Sequence, residues 1–99
     1  MLYKKHVYPY GFLAIELAVK LQELLEPEDN FAAQPYQYSS EALEVVNEIV
    51  RKKVDTPEGI ERHLSKMLSA MFDCDYEPGM FTELADLMSN RIESIKATA

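Results

Sequence analysis

The chain has no tryptophan, one cysteine, three glycines and no apolar run near the length of a membrane span. Each shortage excludes something. Cys74 has no second cysteine to pair with, so the fold must rest on its core, and a reducing, cytoplasmic setting is the expectation. A membrane helix needs about 20 consecutive apolar residues, and the best candidate run, which starts at Phe12, is cut by Glu16 and Lys20. The opening "MLYKKHVYPYGFLAIELAVKLQ" has the basic start and apolar stretch of a secretory signal. The same two charges interrupt it, however, and Pro9 and Gly11 precede it, so no membrane association is expected. With so few glycines there is little material for a phosphate-cradling loop. No serine elbow or Cys/His pair is present either, and the chain reads as non-enzymatic with no cofactor. Cations are short as well: ten Lys and Arg stand against seventeen Asp and Glu, a net charge of −7. That balance opposes any role that neutralises phosphates, so no direct nucleic-acid contact is expected.

What remains is apolar and periodic. Ninety-nine residues suit one domain, 1–99. Leu13, Leu17, Leu21, Leu24 and Leu25 recur at helical spacing, with Phe12, Ile15 and Val19 widening the stripe. Pro9 suits the first turn of this helix and Pro27 ends it, which gives residues 9–26. Residues 27–38 carry two prolines and an acidic cluster and read as a long crossing loop. Ser39 or Ser40 is expected to cap a second helix over 40–54, with Leu43, Val46, Ile49, Val50 and Val54 inward and Val45 on the flank. Asp55 or Thr56, then Pro57 and Glu58, open a third helix over 57–72, with Ile60, Leu64, Met67, Leu68 and Met71 on one face. A fourth, over 79–96, carries Phe81, Leu84, Leu87, Met88, Ile92 and Ile95. Four amphipathic segments with short later links predict an all-α, compact antiparallel four-helix bundle. A DNA-reading helix-turn-helix from the second and third helices competes, but the chain has no basic recognition helix.

The charges are segregated along the sequence. From Leu21 to Val50 every charge is negative, and so is every charge from Met67 to Asn90. If the helices alternate in direction, these stretches place Glu23, Glu26, Glu28, Asp29, Glu41, Glu44, Asp73, Asp75, Glu77, Glu83 and Asp86 at one pole, with no lysine or arginine. Lys4, Lys5, Arg51, Lys52, Lys53, Arg62, Arg91 and Lys96 collect at the other, mixed with Asp55, Glu58, Glu61 and Glu93. Glu41, Glu83 and Asp86 sit near helix starts, where a negative charge is favourable; Glu23, Glu26, Asp73 and Asp75 sit near helix ends, where it opposes the dipole. Tyr36, Tyr38 and Tyr76 fall in the loops that cap the acidic pole. All six tyrosines are read as lying in connections rather than helices.

Several local patterns lead away from chemistry. "DCDYEPGMFTEL" begins like a calcium loop, but Pro78 stands where glycine belongs and Leu84 where the bidentate glutamate belongs. Cys74, His6 and His63 lack the paired spacing of a zinc site, so no metal is expected. "DTPEGIERHL", residues 55–64, resembles the start of the last helix in the nuclease-colicin immunity proteins, which are small acidic four-helix inhibitors. The likeness covers about ten residues and would open the third helix here, without the upstream tyrosines and proline of that family.

Together these features predict a protein-binding module. It would be a small acidic inhibitor, of immunity, antitoxin or anti-defence type, acting on a basic nucleic-acid-handling protein. The contact would be made by Glu26, Glu28, Asp29, Tyr36, Tyr38, Asp73, Asp75, Tyr76 and Glu77. The alternative is an oligomeric regulatory or scaffold protein whose exposed tyrosines, Tyr3, Tyr8 and Tyr10 among them, form a homodimer face.

Overall fold

The computed structural model describes residues 4–26 and 38–98, with backbone alone for residues 4–9. Four helices carry the fold: α1 Lys4–Leu25, α2 Ser39–Arg51, α3 Pro57–Phe72 and α4 Thr82–Thr98. Each packs against two others, α1 on α2 and α4, α3 on α4 and α2, and neither diagonal pair touches. This is the predicted all-α antiparallel four-helix bundle. Among the described residues its core is apolar except for Ser89, whose hydroxyl donates to the Asp55 carbonyl at 2.7 Å and ties α4 to the α2–α3 link.

Helix boundaries follow local chemistry, in places against the predicted ones. Thr56 caps α3 by accepting from the Gly59 amide at 3.1 Å, and Pro57 occupies the first turn, as expected. A β-carbon at Gly59 would lie 2.8 Å from the Val54 side chain and 3.0 Å from the Thr56 hydroxyl, so a larger residue there would displace Val54. The start of α1 lies further upstream than predicted, at Lys4 rather than near Pro9. Pro9, the sixth residue of α1, cannot donate to the Lys5 carbonyl and its ring crowds that carbonyl, but the helix continues through it. Tyr8 and Tyr10 therefore lie inside a helix, contrary to the expectation that all six tyrosines sit in connections. Neither Ser39 nor Ser40 caps α2: Tyr38 is the N-cap residue, and its carbonyl accepts from the Ala42 amide at 2.9 Å.

Two ends come where no glycine announces them. α2 stops at Arg51, short of the predicted residue 54, because Lys53 takes a left-handed conformation with φ 58°. The Val54 amide then reaches back to the Ile49 carbonyl and the Lys53 amide to that of Val50. Asp73 closes α3 the same way, with φ 53°, both its amide and that of Cys74 turning onto the Ser69 carbonyl. Residues 77–81 form turns through Gly79, at φ 88°, so α4 begins at Thr82 rather than 79.

The inward stripe of α1 is also narrower than predicted. Leu13, Leu17 and Leu21 are buried, but the partners beside them are Ala14 and Ala18, while Phe12, Ile15 and Val19 are 66%, 59% and 41% exposed. On α2, Ala42, Val45, Val46 and Ile49 are buried and the predicted Leu43 and Val50 face out. Small residues at the α1–α2 contact let the two backbones approach closely, and that rotation leaves the larger side chains outside. Replacing Ala18 by leucine is therefore expected to cost about 1–3 kcal/mol by overpacking. The same change at the exposed Ala70 should stay within about 0.5 kcal/mol. Urea unfolding of the two variants measures the difference.

Candidate functional site at the acidic pole

Aromatic rings join the helix ends. Tyr38, at the entrance to α2, is 8% exposed and stands edge-on to Phe72 at the end of α3, centroids 5.7 Å apart and planes 83° apart. Its hydroxyl donates to the Glu26 carboxylate just past α1, so one side chain links three helix ends. Tyr76, half-buried in the α3–α4 link, stands edge-on to Phe81 at 5.2 Å, and Phe81 plugs the core in front of α4. Burial, and then the hydrogen bond to Glu26, holds the Tyr38 hydroxyl well above the usual phenol range. Burial and the neighbouring Cys74 thiol push Tyr76 up to about 12.

These rings are lids more than contact surfaces. Tyr38 is buried, so what it presents outward is Glu26, held in place by its hydroxyl. The exposed groups of the pole are acids: Glu23, Glu44, Asp73, Asp75, Glu77, Glu83 and Asp86, with Glu26 and Glu41 half-buried. Glu41 keeps one carboxylate oxygen, Oε1, buried and without a hydrogen-bond donor. Of the residues predicted to make contact, Glu26, Tyr38, Asp73, Asp75, Tyr76 and Glu77 lie in this region. Glu28, Asp29 and Tyr36 fall outside the described residues, as do Tyr3 and the side chain of Tyr8.

The sequence did not reveal a cleft of about 330 Å³ between α1 and α4, floored by Leu24, Met80, Leu84 and Leu87 and rimmed by Lys20, Glu23 and Glu83. The apolar spacing on each helix was legible, but which two helices stand beside each other was not. An apolar floor under two carboxylates suits the aliphatic stem and cationic head of a lysine or arginine side chain. Lys20 approaches Glu23 at 3.7 Å, so the pole does have a lysine on its shoulder, against the sequence expectation. Glu61 departs from its predicted place as well: the Thr82 hydroxyl at the start of α4 donates to it at 2.8 Å.

The other pole carries most of the ion pairs among the described residues. Arg91 forms a two-pronged pair with Glu16 at 2.9 and 3.0 Å, Lys96 pairs with Asp55, and Arg51 and Lys52 share Glu48 at 2.7 and 2.9 Å. Hydrogen bonds from these cations hold Glu16 and Asp55 below the usual carboxylate range and Glu48 at about 2. Among the described residues, the acidic pole has only Lys20 with Glu23 as an ion pair. No cluster there could hold a metal ion, and no helix is long and apolar enough to cross a membrane, again among the described residues.

The fold thus places the chain among the all-α antiparallel four-helix bundles, with most ion pairs of the described residues at one pole and one of them at the acidic pole. No protein-family model, curated protein or solved structure matches it.

The raised phenols give stability a sign at high pH. Unfolded tyrosines release their protons near pH 10, whereas Tyr38 and Tyr76 keep theirs in the fold, so stability present below pH 10 falls as pH rises above it. Tyr38→Phe has no proton to lose in either state and should remove up to about 1.4 kcal/mol per pH unit of that slope. Unfolding midpoints between pH 8 and 11.5 test it, and equal slopes in the two chains would show that Tyr38 is not held protonated.

Proposed function

We propose that the chain is a non-enzymatic binding protein whose acidic pole docks on a basic surface of another protein, most concretely a nucleic-acid-handling enzyme that it inhibits. One observation carries this reading: the bundle gathers the carboxylates of four helix ends and leaves nearly all of them without a cation, while every ion pair but one lies elsewhere among the described residues. A cation-depleted face of this kind steers a basic partner and accelerates encounter. The α1–α4 cleft adds a place where a lysine or arginine of that partner can bury its stem while its head meets Glu23 and Glu83. A protein that handles nucleic acid displays such a cationic surface, and an acidic protein covering it would compete with the phosphates.

Affinity capture from the native cell with the whole chain as bait tests the proposal. The expected catch is a basic nucleic-acid-binding protein, released as salt is raised and lost when Asp73, Asp75, Glu77 and Glu83 are changed to their amides. An unchanged catch with that quadruple variant would refute the acidic pole as the contact.

A further inference from the structure

We infer that the pole opposite the acids holds a small-molecule site, a cavity at the end of the core that takes a monocarboxylate with a compact apolar body. This site lies apart from the acidic-pole contact and goes beyond it.

The two ends of the core are closed differently. At the acidic pole Phe81 plugs it, with Tyr38 and Tyr76 as lids. At the other end a cavity of about 220 Å³ opens between α1, α2, the α2–α3 link and α4. Helices α2 and α4 are a diagonal pair that do not touch, so a space lined by both lies over the core itself. Its floor is Ile49 of α2 and Ile92 of α4, 1% and 3% exposed, with the half-buried Val54 beside them.

The wall made by the link is fixed before any ligand arrives. Ser89 donates to the Asp55 carbonyl, the Val54 amide returns to the Ile49 carbonyl at 2.9 Å, and the Lys96 ammonium pairs with the Asp55 carboxylate. These bonds from the core, from α2 and from α4 keep the link from folding into the space. A largely preformed, apolar concavity with a few polar groups at its rim is the usual form of a small-ligand site.

Size and charge select the ligand. A dry apolar cavity of about 150 Å³ admits a benzene ring, so about 220 Å³ accommodates such a ring, or a branched aliphatic chain, with a small polar head. The charged groups at the rim are Lys53, Lys96 and Asp55. Asp55 engages Lys96, whereas Lys53 has no carboxylate partner among the described residues, and one positive charge is left over at the mouth. Lys53 also keeps its left-handed φ of 58°, which costs an ordinary residue about 1–2 kcal/mol, at a position where glycine would suit the backbone better. A carboxylate head at Lys53 with its apolar body on Ile49 and Ile92 uses both features of the cavity. A cationic head would face two ammonium groups with Asp55 already engaged, and a neutral one would leave Lys53 unmatched.

Benzoate is the probe. Titrated into the full chain in low-salt buffer, it is expected to move the NMR signals of Ile49, Val54 and Ile92 and to saturate with a Kd of about 0.1–2 mM, the range its size allows. Benzamide, its neutral isostere, and the cationic benzylamine should each bind at least about threefold more weakly. Lys53→Gln, an exposed change of similar length, should keep the unfolding midpoint and weaken benzoate about threefold to fivefold. No saturable shift below about 20 mM, benzamide or benzylamine binding as tightly as benzoate, or full benzoate affinity in Lys53→Gln would each overturn the inference. The quadruple acid variant is altered only at the opposite pole and should bind benzoate like the wild type, so the failure of either proposal is separable from the other.

Discussion

Everything in this molecule depends on four helices that cannot stand alone. At 13 to 22 residues each they are marginal in water, and they persist because each buries one stripe against two neighbours. The tightest of these contacts rests on alanine. Ala14 and Ala18 of α1 and Ala42 of α2 are nearly or wholly inaccessible, and they let the first two backbones come close. From that approach follow the rotation that excludes Ile15, Val19 and Leu43 and the alternation that brings helix ends together. The collection of carboxylates at one pole is a consequence of the same packing.

The fold class was legible because leucine, isoleucine and methionine recur at helical spacing in α3 and α4, and because Thr56 and Pro57 announce a helix start by known chemistry. Where the expectation slipped, the signal was absent or overruled. Lys53 takes a left-handed conformation usually given to glycine, so nothing in the sequence marks the end of α2 in advance; the end of α3 at Phe72 was legible, because Asp73 is a residue that tolerates that conformation. Pro9 looked like a beginning and is an interior residue: a proline in the second turn disturbs only the short stretch of helix ahead of it. Periodicity could not distinguish Val19, which faces water, from Ala18, which is buried in the core. Hydrophobicity favours the larger residue, whereas helix approach favours the smaller. The acidic pole was foreseeable from charge order alone, but the α1–α4 cleft required knowing which helices are neighbours.

The two poles are treated differently by the same chain. At one, Glu16, Glu48 and Asp55 each have a cation, and their carboxylates are correspondingly easy to keep ionised. At the other, Asp73 closes α3 and Asp75 and Glu77 follow it, near the end of a helix whose dipole disfavours negative charge. Among the described residues these three acids have no cation partner, and they stand exposed. Asp73 serves the helix end through its backbone, but the three carboxylates oppose the dipole there. That is the expected signature of groups kept for a partner, and it is why the acidic pole and not the other carries the proposed function.

The most direct test is whether those acids are a burden on the free protein. Thermal unfolding of the wild type and of a chain with Asp73→Asn, Asp75→Asn and Glu77→Gln should be compared at low salt and at about 0.5 M, where charges are screened beyond a few ångströms. The account predicts that the neutralised chain unfolds at the higher temperature in low salt and that the gap closes as salt is added. A neutralised chain that unfolds at the lower temperature would mean the acids support the fold, and the case for a binding pole would fall with it.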